Sequence, residues 1–211
     1  MWRVLFLALM SGAVACGTGG PARAQTAQPS PAPKAAAKPA AAAKTAAKPE
    51  SKPVTPPAIA GGTEPTLIGQ FGIWGAYSAT PNGKKVCFAL AKPSSSKTNP
   101  PNRPRDPAYA FVSTRPSEKV SNEVSVMIGY ALKPGSESTL EVGGASYAMY
   151  TQGDGLWIKN AAEEERMVEA MRKSADLVVK GVSAKGTETT DTFSLKGLAQ
   201  ALDRIAQDCK R

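Results

Sequence analysis

A change of composition near residue 66 limits what this chain can fold into, because only the part after it holds the material for a core. Residues 25–66, with the run SPAPKAAAKPAAAAKTAAKPESKPVTPP, are almost entirely Ala, Pro, Lys, Ser and Thr and contain no aromatic residue. Such a segment cannot bury enough surface to offset the entropy of ordering it, so it is expected to stay disordered. Its proline spacing favours extended, polyproline-like stretches, giving a semi-stiff tether with a reach on the order of 100 Å. Residues 67–211 carry nearly all of the Trp, Tyr, Phe, Ile and Val. Their number suits one domain with one core. Charge divides at the same boundary. The whole chain has a formal net charge of +9, yet residues 67–211 hold 19 Lys and Arg against 15 Asp and Glu. Much of the basicity therefore belongs to the tether and to what precedes it.

The first residues, MWRVLFLALMSGAVACGTGGPARAQ, read as a secretory signal. Arg3 supplies a positive start, Val4–Cys16 is an apolar run too short to span a membrane, and Ala22-Arg23-Ala24 places small residues before a cut at Gln25. Residues 1–24 are thus expected to be a signal peptide, 25–66 a linker and 67–211 the folded domain. A rival reading takes Ala13-Val14-Ala15-Cys16 as a lipoprotein box, with Cys16 becoming the lipidated N-terminus. The expected location is periplasmic or secreted, with an outer-membrane-associated lipoprotein as the alternative. Export argues against a nucleic-acid partner, although a Lys-Ala-Pro run of this kind resembles linker-histone tails. The bland reading of the tether is a solvated spacer. Its functional reading is salt-sensitive attraction to anionic lipid or wall polymer.

Within the domain, period-2 patterning and turn residues dominate, and the spacing predicts a mainly β fold. QFGIWGAYSA (70–79) reads as a strand with a bulge, and Asn82-Gly83 is a strong hairpin signal because both central residues of a type I′ turn need positive φ. The return strand, 85–91, is apolar on both faces and is expected inside the sheet. A two- or four-residue loop places Ser78 directly across from Cys87. PSSSKTNPPNRPRDP (93–107) reads as a proline-rich surface loop. Strands follow at 108–115 and 123–131, then a hairpin over 139–151 turning at Gly143-Gly144. Asn160 caps a helix over 161–174 whose Glu163, Glu164 and Glu165 suit the dipole and solvation. A strand pair at 176–182 and 188–193 precedes a final helix over 195–209, capped by Ser194. Its apolar stripe Leu195, Leu198, Ala199, Leu202, Ile205, Ala206, Cys209 has helical spacing.

After cleavage at Ala24 two cysteines remain, Cys87 in an interior strand and Cys209 on the inward stripe of the last helix. An even pair in an exported domain usually becomes a disulfide, here one that staples helix to sheet. The alternatives are two buried free thiols or, more remotely, a redox pair that lacks the CxxC spacing.

FGIWGAYS with KKVCFALAKP, then YTQGDGLWIKN before a short helix, then TFSLKGLAQALDRI, together resemble the invasion-associated locus B family of secreted or periplasmic bacterial envelope proteins. The likeness covers most of 67–211, and SLKGL-x-x-AL is its most specific element. It implies a single antiparallel β-sandwich domain finished by a C-terminal helix, making two helices in all. Family members often carry cysteine where Ser78 stands and a second pair around Thr151–Leu156, which this chain lacks. On that comparison the usual cross-strand bonds are missing, and Cys87 is left to reach Cys209.

Catalytic chemistry is largely excluded. With no histidine in the chain, Ser-His-Asp triads, Cys-His proteases and HExxH zinc sites cannot be built. No catalytic, cofactor-binding or metal-ligating residue is assigned. Ser94-Ser95-Ser96-Lys97 fits the S-x-x-K nucleophile motif but lies in the proline loop without an SDN element. Arg103, Arg105 and Arg115 with Tyr109 could form a basic patch, against ordinary solvated arginines. Trp74 and Trp157 read as packing residues. The expected protein is a non-enzymatic envelope factor that works by binding an envelope protein, wall polymer or host surface. A structural or stress-protective factor docked through its tether is the second reading, and an S-x-x-K acyl-transfer enzyme the remote one. Contact with a membrane would come only through an N-terminal lipid or the electrostatic tether.

Overall fold

The structure, a computed structural model, describes residue 56 and residues 64–210. The expected signal peptide, nearly all of the expected tether and the lipidation candidate Cys16 lie outside the described residues.

Eleven strands and two helices follow one another. The strands are β1 (Thr66–Phe71), β2 (Trp74–Ala79), β3 (Val86–Ala91), β4 (Ser95–Asn99), β5 (Tyr109–Arg115), β6 (Val120–Met127), β7 (Ser138–Val142), β8 (Ala145–Gln152), β9 (Gly155–Ile158), β10 (Asp176–Val182) and β11 (Glu188–Ser194). Helix α1 (Glu164–Lys173) lies between β9 and β10, and α2 (Leu198–Cys209) follows β11. All strands belong to one antiparallel sheet, in the order β1-β2-β3-β5-β6-β9-β8-β7-β10-β11-β4.

The sandwich that the resemblance implies is achieved by bending this one sheet back on itself. Trp74 of β2, second in the order, donates its indole N–H to the Ser194 carbonyl at the end of β11, tenth in the order, at 2.8 Å. The inward side chains of both halves, including Cys87, Val112, Leu140, Leu177 and Phe193, form one continuous core. Both helices close it, α2 against β1, β2, β3 and β5 and α1 against β6 and β7. Leu198, Ala201, Leu202, Ile205 and Cys209 are the buried positions of α2. They recur at helical spacing, and each large one contributes about 1.5–3 kcal/mol by leaving water.

Three readings change. The single strand over 70–79 is two strands, because Gly72 at φ 63 reverses the chain and sets Phe71 opposite Trp74. The loop 93–107 contains β4, an edge strand of polar residues paired with β11. Ser194 does not cap α2; it is the last residue of β11, and Gly197 at φ 97 occupies the cap. That position admits only glycine, since a Cβ there would lie 2.0 Å from the Phe71 carbonyl oxygen. The FGIW and SLKGL stretches are thus the two sides of a single junction, which closes the bent sheet.

The hairpin register follows the sequence. Asn82 and Gly83 both take positive φ, at 50° and 77°, and Ser78 pairs with Cys87.

Candidate functional site

On β3 the inward positions are Cys87, Ala89 and Ala91, which leaves Val86, Phe88 and Leu90 on the outer face. There a second apolar cluster of Tyr77, Phe88 and Leu90, with Val86, Tyr109 and Phe111 packed around it, is separate from the core. Tyr77 stacks on Phe88 with centroids 5.3 Å apart, Phe111 tilts against Phe88 at 6.0 Å and Tyr109 against Phe111 at 6.2 Å. Beyond the two intervening serines, Ser113 and Ser125, the file resumes. Trp157 of β9 stacks on Tyr150 of β8 at 5.7 Å, and Tyr150 is 46% exposed.

Glycines two residues before an aromatic lay these rings flat. A Cβ at Gly75 would sit 2.5 Å from the Tyr77 ring and one at Gly155 2.3 Å from the Trp157 ring, so each ring covers the bare backbone of its own strand. Between the two aromatic groups runs a groove of about 410 Å³ bounded by Phe88, Phe111, Ser125 and Trp157, with Arg115 and Glu123 at one end. Arg115 donates to both carboxylate oxygens of Glu123, at 2.8 and 3.0 Å, and to Glu118 at 2.7 Å. The hydrogen bond to Glu123 is the main influence that raises the Arg115 pKa, so the guanidinium stays charged. Lys92 lies 5.5 Å over the Tyr109 ring. Tyr77, Phe88 and Leu90 are themselves buried, so the apolar area this face offers is the exposed Tyr150 ring with the half-buried Trp157, Phe111 and Tyr109, flanked by the Arg115 ion pairs and by Lys92. That combination suits burial of a partner surface, with aromatic and Arg anchors of the kind that dominate interface energies.

The remaining sequence-predicted residues fall elsewhere. Cys87 and Cys209 are joined, with Cα atoms 6.0 Å apart across a sequence separation of 122. Asp208 lies beside the bridge. A hydrogen bond from the Ser78 hydroxyl, and after it Lys85, holds its carboxyl below the usual carboxylate range. Trp74 is wholly buried in the core, as read, whereas Trp157 belongs to the outer face. Arg103, Arg105, Arg115 and Tyr109 do not form one patch. Arg105 bonds the buried Asp191, Arg115 is held by two glutamates, and Tyr109 joins the outer aromatic cluster. In the S-x-x-K stretch the Ser94 hydroxyl donates to the Thr192 carbonyl at 2.9 Å, while Lys97 pairs opposite Thr190 within β4. No helix begins there, so the setting that motif requires is missing.

Two roles were not legible. Glu164, read as one of three solvated helix-start acids, is half-buried and accepts the Val124 backbone N–H at 2.8 Å, where β6 runs past the end of β9. Desolvation pushes its pKa up, partly countered by that hydrogen bond. The two-faced apolar pattern of 85–91 is borne out, since β3 is buried on both faces from Cys87 to Ala91, whereas the ring pair on β8 and β9 carried no signal of its own. Among the described residues no group of three or more His, Cys, Asp or Glu is placed to hold a metal. None of the helices described is long and apolar enough to cross a membrane.

The family model described as "Invasion associated locus B (IalB) protein" matches residues 74–206, well over half of the chain. No curated protein and no solved structure matches it.

Proposed function

The chain belongs to the invasion associated locus B family, and from that premise we propose that it is a periplasmic or secreted envelope protein that acts by binding rather than catalysis. The partner is a protein surface of the envelope or of a host cell, docked on the aromatic outer face of the sheet. The observation that carries this reading is the flat ring pair Tyr150–Trp157 and the groove that continues from it to Phe111 and Phe88. Large apolar rings held rigid by their own backbone lose little entropy on binding. Contiguous apolar area with a polar rim is a feature of interaction surfaces.

A photoreactive residue placed at Tyr150 of the mature chain tests this. It should crosslink a discrete partner in envelope or host-membrane fractions, whereas the same group at Lys180, facing outward on the other half of the sheet, should not. Equal labelling from both positions, or none, contradicts the reading. Wall polymer recovered at Tyr150 would keep the face and replace the partner class.

A second reading is favoured by the charge split, since residues 25–66 hold five Lys against two Glu and are more basic for their length than residues 67–211. In that reading the tether docks on anionic envelope material and the domain is a structural or stress-protective factor. Deleting 25–63 separates the two. Retention lost with the domain still folded favours the tether, and retention kept favours the sheet face. The non-enzymatic part of the proposal has its own check, in that intact-mass measurement after a β-lactam-type acylating agent should find Ser94 unmodified.

A further inference from the structure

Past the end of β6, away from the Glu123 that belongs to the aromatic groove, lies a cavity of about 600 Å³, bounded by the end of β4, the loop 103–105, residues 130–131 and the β10–β11 turn. Its walls are fixed. The Tyr130 hydroxyl bonds Thr189 Oγ1 at 2.6 Å, the Ala184 N–H bonds the Ala131 carbonyl at 2.9 Å, and the Gly186 N–H bonds the Ser183 carbonyl at 2.8 Å. Such a volume falls within the range of small-molecule sites.

The charge of the cavity is one-sided. Arg103, Arg105 and Lys185 are the charged residues that line it, and no carboxylate does so among the described residues. The charge of Arg105 is matched by Asp191, whereas Arg103 and Lys185 make no ion pair among the described residues. Two hydroxyls each accept a backbone N–H. Thr98 Oγ1 accepts the Arg103 backbone N–H at 3.2 Å and Ser183 Oγ accepts the Thr187 backbone N–H at 3.0 Å. With a lone pair of each so engaged, the proton of each is left to give. Two unmatched cations and two donor hydroxyls, supplied from three separate segments, suit a group with several acceptor oxygens and close to two negative charges. A phosphomonoester, at about −1.5 to −2 near neutral pH, meets that description better than a carboxylate does. Pro100, Pro104 and Ala131 supply an apolar wall for the body that carries it.

We infer that this cavity is a binding site for a phosphomonoester on a small compact body, independent of the aromatic face. The group could reach it as a soluble phosphate ester or as a lipid headgroup. The test titrates the mature chain with glycerol 3-phosphate, followed by backbone NMR, and in parallel with phosphatidic-acid vesicles by co-sedimentation. The double variant Arg103→Ala, Lys185→Ala is compared in both arms. Both residues are exposed, so the fold should survive, which the spectrum itself verifies. The inference expects saturable shifts around Thr98 and Ser183 and an affinity at least about tenfold weaker in the double variant, given the worth of charge-assisted hydrogen bonds. Vesicle binding alone, lost in the double variant, supports the site with lipid as the source. No binding in either arm overturns it, as does binding of equal strength in the wild type and the double variant.

Discussion

Asp191 has no exposed surface and lies beneath the guanidinium of Arg105, which donates both arms to its carboxylate. Arg105 also donates to the Ile128 carbonyl at 2.9 Å and to Ser96 Oγ at 3.0 Å. One side chain from a proline-rich loop thereby ties together β4, β11 and the end of β6 on the inner side of the sheet.

Removing either partner leaves an uncompensated buried charge. Arg105→Ala and Asp191→Ala should each cost about 3–5 kcal/mol, and a well-packed apolar pair at both positions should recover most of that loss. Arg105→Lys keeps the charge but loses the bidentate fork, so it should fall between the wild type and Arg105→Ala. Urea denaturation of the four variants provides the comparison. A cost below about 1 kcal/mol for either alanine would place this pair with ordinary surface ion pairs.

The bridge between Cys87 and Cys209 closes a loop of 122 residues. The chain-entropy account assigns such a closure about 5 kcal/mol. Cys87→Ser, Cys209→Ser and the double variant should therefore lose similar stability, and reductant should affect only the wild type. Because the bond holds the last residue of α2, hydrogen exchange should rise first in that helix.

Glu164 gives a pH signature. Its folded-state pKa lies above its ordinary value, chiefly through desolvation. The charged form is therefore disfavoured by folding. Wild-type stability should rise relative to Glu164→Gln as pH falls through the raised folded value toward the ordinary one, and the gap should stop changing below it. Gln keeps an acceptor for the Val124 N–H and should be neutral or stabilising at pH 7. Glu164→Ala leaves that N–H without its partner and should cost about 1–3 kcal/mol. Chemical denaturation of the three proteins between pH 3 and 7 resolves these differences.

The sequence revealed what is encoded locally and hid what is encoded across distance. Asn82-Gly83 has the backbone preference that fixes its own hairpin, and the α2 stripe needs only its own spacing. Gly72 was masked by the aromatic run around it, because a continuous apolar stretch reads the same with or without a turn. β4 does not show in the sequence because Ser96 and Thr98, paired with Asp191 and Thr189, meet polar partners instead of the core. Arg105 looked solvated because its partner lies 86 residues later. Trp157 looked like core because composition does not say which face of a strand a ring takes. The candidate site was least legible for that reason. It exists only when β3, β5, β6, β9 and β8 lie side by side.

Binding through the outer aromatic face is the claim on which the functional account stands, and a surface variant tests it most directly. Tyr150→Ser with Trp157→Ser removes the exposed Tyr150 ring and the half-buried Trp157 ring stacked on it, and leaves the inner core and the disulfide untouched. Binding of this variant and of the wild-type mature chain to envelope and host-membrane fractions should be measured side by side, with thermal unfolding as the control for fold. The account predicts a fall of about tenfold or more, in line with the loss of a central aromatic anchor, at little change in unfolding temperature. Undiminished binding by a correctly folded double variant would contradict it.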